Sequence, residues 1–216
     1  MHKKIYSVLG DYYHEHDLLL DALNKAIRPL LSYIELFDII ADDLPEIITQ
    51  KPNLIILNKE NRVNPAEQEK QYWMTRSIEK QIFDYVVNGG SFIAWHAGLA
   101  SYPVEGQFYS MLKGYFKSHP NEHIMVKYIF TEGMLVTDKP VNFEVLDEHY
   151  FVECNSSDTN VFLVSQSVEG SSVAGWAHKF GNGRVCCITP SHMKEGLLHM
   201  GMLNLLQQCI QWCCKT

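Results

Sequence analysis

Apolar residues fall along this chain in short runs that alternate with stretches of helical spacing. Residues 4–9 form the first compact run and predict a strand. Asp17 offers an N-cap for the helix that follows, with Leu18, Leu19, Ala22, Leu23 and Ile27 on its apolar side and Pro29 as its stop. Residues 32–37 predict a second strand, 44–49 a short helix, and 53–57, bounded by Pro52, a third strand. Met74, Ile78, Ile82 and Val86 recur every four residues and define the clearest helix. Asn64 is its candidate cap, Pro65 suits its first position, and Gly89-Gly90 ends it, because glycine takes the left-handed conformation of a helix stop. Residues 91–95 follow as a fourth strand.

Strands and helices alternating at this spacing predict right-handed βαβ units. The expected fold is α/β, with three layers and a doubly wound, mainly parallel sheet of the flavodoxin-like kind. The second half is less regular. Residues 124–130, 160–165, 172–178 and 184–188 predict strands, and Gly181-Asn182-Gly183 joins the last two as a hairpin. Residues 196–212 predict a terminal helix with Leu198, Met202, Leu205, Leu206 and Cys209 on its buried side. No repeat, low-complexity tract or linker interrupts the pattern, so residues 1–216 are expected to form a single domain.

The formal net charge of −7 argues against nucleic acid as a partner, because phosphates would repel the chain and its basic residues are scattered. No run reaches the roughly 18 apolar residues of a membrane span. The run after Lys3-Lys4 breaks at Gly10-Asp11, too early for a signal peptide, so a cytoplasmic location is expected. The six cysteines form no CxxC pair and read as small buried residues of a reducing compartment, not as a thiolate zinc site.

Ligands in open parallel sheets bind beyond the carboxyl ends of the strands. Three predicted strand ends deliver histidines there: His14 and His16 after the first, His96 after the fourth, and His192 after a late one. Ala94-Trp95-His96-Ala97-Gly98 has the small flanking residues of a sharp strand-to-helix elbow, with His96 displayed. An imidazole there can serve as general base, metal ligand or hydrogen-bond donor, but is a poor primary nucleophile. The plainer reading of each histidine is a space-filling or loop-packing role.

Several segments resemble the ThuA-like (trehalose-utilisation) family. Gly89-Gly90-Ser91-Phe92-Ile93-Ala94-Trp95-His96-Ala97 looks like its glycine-rich strand ending in histidine, and Gly114 to Phe116 with His119-Pro120 looks like its next motif. Asp147-Glu148-His149-Tyr150 resembles its Asp-Glu-x-Tyr segment. Trp176, Gly181-Asn182-Gly183-Arg184-Val185 and Thr189-Pro190-Ser191-His192 are similar to its closing motifs. The resemblance covers nearly the whole chain in order. It implies a class I glutamine amidotransferase-like fold and a link to trehalose or related disaccharides. His96 stands where an amidotransferase needs cysteine, and Met193-Lys194 follow His192 in place of His-x-Glu, so glutaminase chemistry is not expected.

The candidate catalytic residues are therefore His96, His192 and Glu148. His14, His16, Asp147 and Tyr150 are candidate substrate contacts, with the choice between His14 and His16 open. Asp147 and Glu148 are adjacent, so in extended chain only one faces the site, and Glu148 is the choice. His119 could orient its loop or reach the site, with the loop role favoured; Trp95 and Trp176 could stack on a sugar face, with a core role favoured. His14, His96 and His192, with Glu148, could ligate zinc or another divalent ion; a metal-free acid/base or sugar-binding cluster is the competing reading. No nucleotide cofactor is indicated, since Gly89-Gly90 ends a helix instead of opening one. The expected activity is hydrolysis or isomerisation of a sugar or keto-sugar. The alternatives are a non-catalytic small-molecule-binding module, and a homo-oligomer joined through the apolar segment from Cys209 to Cys214.

Overall fold

The computed structural model describes residues 2–132 and 141–215. In chain order its elements are β1 (Lys3–Leu9), α1 (His16–Ile27), β2 (Ile34–Ile39), α2 (Leu44–Thr49), β3 (Leu54–Asn58), α3 (Arg76–Val87), β4 (Ser91–Trp95), α4 (Gln107–Leu112), β5 (Gly114–Ser118), β6 (Ile124–Phe130), β7 (Phe143–Asp147), β8 (Phe151–Cys154), β9 (Asn160–Ser167), β10 (Gly170–Phe180), β11 (Gly183–Ile188), α5 (Lys194–Leu197) and α6 (Met200–Cys214). A 3-10 turn, His96–Leu99, follows β4 directly.

Nine strands form one sheet in the order β2-β1-β3-β4-β11-β10-β9-β6-β7, and β5 pairs with β8 in a separate ribbon. The ladders from β2 to β11 are parallel, and those from β11 to β7 are antiparallel. The fold is thus α/β with a mixed sheet, its parallel half as the strand–helix spacing predicted. The antiparallel half starts at the β10–β11 hairpin, where Gly181 turns the chain at φ +56°.

Side chains of β3 alternate between two apolar clusters. Leu54 and Ile56 pack with α1 and α6, while Ile55 and Leu57 pack with α3 and α4; all four are fully buried. A strand covered on both faces must be apolar throughout, which is why 54–57 reads as a continuous run.

Several element boundaries differ from expectation. The helix carrying Ile78, Ile82 and Val86 begins at Arg76, and Thr75 is its cap, its hydroxyl accepting from Ile78 N at 3.3 Å. Asn64 instead closes its own loop, accepting from Gln71 N at 2.6 Å. Helix α1 starts one residue before Asp17, with Glu15 in the cap position. The terminal helix is two pieces, and the His199 ring caps the second by accepting from Gly201 N at 3.1 Å. The apolar residues Cys209, Ile210, Trp212 and Cys213 are buried in the chain's own core, and Gln211 and Cys214 of the same segment are half-buried.

The parallel register places the functional loops side by side. Leu9 pairs with Asn58, Leu57 with Ala94, and Trp95 with Ile188, so the loops after β1, β3, β4 and β11 leave the sheet at one edge. The link from β7 to β8, residues 148–150, carries Glu148 and Tyr150 to the same place.

Candidate functional site

Four side chains from four separate segments meet at this edge. His14, His96, His192 and Glu148 each present one ligating atom, and the four atoms lie within 4.8 Å of one another. Glu148 Oε2 is 3.5 Å from His96 Nε2 and 3.4 Å from His192 Nδ1. A tetrahedral ion with ligands at about 2.0–2.1 Å wants its donor atoms about 3.3 Å apart, so the cluster is close to a closed coordination shell.

The hydrogen bonds behind the rings decide which nitrogens face inward. His96 Nδ1 lies 2.6 Å from Thr189 O, and His14 Nδ1 lies 2.6 Å from Asp11 Oδ1. A carbonyl or carboxylate oxygen can only accept, so in a neutral ring the proton sits on Nδ1 and the Nε2 lone pair is left free. His14 Nε2, His96 Nε2 and His192 Nδ1 are all buried and have no hydrogen-bond partner among the described residues. Buried nitrogens without partners are costly. Three of them converging beside a carboxylate is what a cation would satisfy.

Electrostatics favour ligating forms at two positions. Burial works to raise the Glu148 carboxyl, but the hydrogen bond and charge of His96 and the charge of His192 bring it down to about 2. Burial, and then the charge of His96, push His192 down to about 4. At neutral pH the carboxylate is ionised and this imidazole is neutral, as metal ligation requires. His96 is pushed down by burial but raised overall by Glu148, Asp147 and the Thr189 carbonyl.

The elbow is built as its sequence suggested, with one change. His96 adopts φ +46°, a left-handed conformation that costs a non-glycine residue roughly 1 kcal/mol or more and clusters at functional sites. It is fully buried at the floor of the site, not displayed on a rim. Gly98 is required by close approach, because a Cβ there would lie 2.3 Å from Leu57 O.

The structure brings together His14, His96, His192, Glu148 and Tyr150, and leaves two candidates outside. The His16 imidazole bonds Asp17 at 2.9 Å and Asp38 at 2.7 Å on the exposed start of α1, and these carboxylates raise its pKa. With both nitrogens occupied, it stands outside the cluster. Asp147 is fully buried and accepts from Tyr128 Oη at 2.8 Å, His192 N at 2.7 Å and Glu148 N at 3.0 Å. The strand alternation that turns Glu148 outward is what turns Asp147 inward. Tyr150 stacks on His96, ring centroids 4.0 Å apart. His119 also stacks on Tyr150, at 5.9 Å, and lines the cleft, so it borders the site as well as shaping its loop. Trp95 and Trp176 are fully buried core residues.

Three neighbours of the site escaped sequence reasoning. Asp11 orients His14, and its place in the same strand-end loop was the available signal. His123 Nε2 lies 3.8 Å from Glu148 Oε1, and nothing in its surroundings marked it. Glu60 follows β3, and its loop end could have been searched as those of β1 and β4 were. A cleft of about 330 Å³ opens over His14, Glu148 and Tyr150, with Glu60, Phe116 and His119 among its walls. A larger cleft of about 960 Å³ lies at the opposite end of the sheet, near Lys3, Ser91 and Arg184. The smaller one is lined by His14 and Glu148 of the cluster and sits at the carboxyl ends of the strands, where this class of sheet binds ligands.

A family model described as "Trehalose utilisation", ThuA, matches residues 12–213. The chain belongs to the ThuA family. Among solved structures, a ThuA-like protein from Parabacteroides merdae is similar with a TM-score of 0.77 and 13% identity, over 100% of this chain and 91% of that one. A cytoplasmic protein from Salmonella typhimurium is similar with a TM-score of 0.64 and 13% identity, over 99% of this chain and 100% of that one. A β-galactosidase from Bacillus circulans sp. alkalophilus carries a similar domain, with a TM-score of 0.63 and 11% identity, over 99% of this chain and 30% of that one. At such identities the likeness shows the fold of this ThuA protein alone. A comparison with curated proteins finds no match. Among the described residues no helix is long and apolar enough to cross a membrane.

Proposed function

We propose that this ThuA protein is a metal-dependent, carbohydrate-processing protein of trehalose or related disaccharide use, working in the cytoplasm. His14, His96, His192 and Glu148 hold a divalent ion, with zinc the best fit to three imidazoles and one carboxylate. The observation that carries the reading is the convergence of three buried, unpartnered imidazole nitrogens on one carboxylate. When bound, the ion polarises a sugar hydroxyl or carbonyl, which suits hydrolysis or isomerisation of a sugar or keto-sugar.

The chain's own groups supply the rest. Phe116 offers an aromatic face to the apolar side of a sugar ring, and the buried Tyr150 ring backs His96. His123, about one-third exposed, stands next to Glu148 at the border of the cluster. The elbow carries His96 in place of a cysteine or serine nucleophile, so no covalent acyl or glutaminase step is part of the proposal. The six free thiols, four of them buried, fit a reducing compartment.

The experiment is elemental mass spectrometry of untagged protein after incubation with zinc and dialysis, with His96→Ala as control, followed by a panel of disaccharides and keto-sugars. One equivalent of metal in the wild type and its loss in folded His96→Ala is the expected result. Folded wild-type protein that retains no divalent metal would remove the proposed centre.

A further inference from the structure

The strongest unassigned group is a buried carboxylate in the same cleft. Glu60 is 2% exposed. Its Oε2 accepts from Arg62 Nε at 2.9 Å, Arg62 Nη2 at 2.7 Å and Ser101 Oγ at 2.9 Å. Its Oε1 is buried and has no partner among the described residues. One oxygen is thus saturated by three donors while the other, on the same carboxylate, has none. An acceptor left open in this way carries its full desolvation penalty until something donates to it.

The frame around Glu60 is tied to the histidine cluster. Glu60 N donates to Asp11 Oδ2 at 2.8 Å, and the other oxygen of Asp11 holds His14. Trp73 Nε1 donates to Glu60 O at 3.0 Å, fixing the backbone from the far side. One aspartate therefore sets the relative position of Glu60 and His14, and both line the cleft that contains Glu148.

We propose that Glu60 is the recognition carboxylate of this cleft, accepting a hydroxyl of a neutral polyol whose other end lies at the histidine cluster; the inference rests on the carbohydrate reading above. A carboxylate only accepts, so its partner must be a donor. An anionic ligand would set further acceptors against Glu60 Oε1, which needs a donor. A cationic one gains little, because Arg62 already balances the charge of Glu60. The nearby ring of Phe116 suits the apolar side of a sugar ring.

The test uses the zinc-loaded full chain, with metal content by elemental mass spectrometry and binding by calorimetry of trehalose and a panel of other neutral mono- and disaccharides. Wild type, Glu60→Gln and Glu60→Asp are compared. Arg62 and Ser101 are both donors, so the amide oxygen of glutamine takes their side and its NH2 group faces the cleft, replacing an acceptor by a donor. Aspartate keeps the charge and withdraws the oxygen by one methylene. Unchanged zinc stoichiometry with sugar affinity reduced at least about tenfold in both variants is the expected result. Wild-type affinity in either folded variant overturns the inference and leaves the metal centre standing. Zinc-loaded wild type that binds no sugar of the panel overturns both this inference and the carbohydrate part of the reading. Sugar binding of equal affinity without zinc overturns only the part of the metal in holding the sugar, and the variants still decide the role of Glu60. Should both variants unfold, monodeoxy analogues of the bound sugar decide on the wild type: one hydroxyl whose removal costs the same factor supports the inference, and no such hydroxyl overturns it.

Discussion

Asp11 grips His14 from behind, its Oδ1 2.6 Å from the ring Nδ1, in a loop where the carboxylate itself is almost wholly buried. Burial works to raise the Asp11 carboxyl, but the hydrogen bond and charge of His14, with the N–H groups of Glu60 and Tyr13, hold it below its ordinary value. The pair has the form in which a carboxylate fixes the tautomer and aim of a metal-ligating imidazole.

Asp11→Asn should therefore weaken zinc binding roughly 10- to 100-fold without removing a ligand. One side of the new amide must face either the His14 N–H or the Glu60 N–H with a donor, so one of the two contacts is lost. Competition against a chelating dye measures the effect. Affinity equal to wild type would show that His14 needs no orientation from behind, or is not a ligand.

The neighbouring histidines of this loop should separate cleanly. His14→Ala removes a donor from the cluster and should abolish stoichiometric zinc. His16→Ala removes only bridges to Asp17 and Asp38 at a half-exposed site, where ion pairs contribute about 0–1 kcal/mol. Its zinc content should match the wild type. A loss of zinc in His16→Ala, with His14→Ala unaffected, would reverse the assignment.

His178 should make the protein acid-sensitive independently of the site. The ring is 6% exposed, its Nε2 is 2.9 Å from Met111 O, and burial pushes its pKa down to about 4. Above its ordinary value of 6.5 the imidazole is neutral in folded and unfolded chains alike. Between that value and about 4 the unfolded chain takes up a proton that the folded chain refuses, so stability falls as pH falls through this window. The loss is at most about 3 kcal/mol. His178→Gln should be less stable than wild type at pH 7.5, and the gap should narrow toward pH 4.5. Urea midpoints at several pH values would show it, and a constant gap would count against it.

The parallel half of the sheet and two of the four converging groups, His96 and His192, were legible in the sequence for one reason, whereas Glu148 came from the family resemblance and the alternation of extended chain. In a parallel sheet, strand order does not affect which end of a strand faces the ligand, so His96 and His192 could be placed without knowing their neighbours. The choice of His14 over His16 was not legible. It depends on Asp38, which lies on a different strand and takes up the His16 ring. Glu60 and His123 were hidden because each owes its position to a contact with a remote residue, Asp11 or Glu148, and no local spacing encodes such a contact. The start of α3 was misplaced because Asn64-Pro65 is a valid helix signal locally, yet residues 59–75 close a loop of their own in which Asn64 bonds Gln71. The antiparallel half was legible only at its hairpin, since its other pairings join segments far apart in the chain.

Asp147 provides the last test, because its isostere and its truncation should behave differently. Its Oδ1 accepts from His192 N and Glu148 N, and its Oδ2 accepts from the Tyr128 hydroxyl. Burial raises its pKa, with His96 and these donors acting against the rise, so the negative charge is held at some cost. In Asp147→Asn the amide oxygen can keep both backbone donors, and the Tyr128 hydroxyl can rotate to accept from the new NH2 group. That variant should lose no more than about 1 kcal/mol and bind zinc and sugar as the wild type does. Asp147→Ala strands two buried N–H groups on either side of the site, one on His192 and one on Glu148. It should cost roughly 3 kcal/mol or more and weaken zinc binding as well. Denaturation curves with parallel zinc titrations distinguish the cases. A selective loss of sugar affinity in folded, zinc-loaded Asp147→Asn would restore a substrate-binding role that the buried position of this carboxylate argues against.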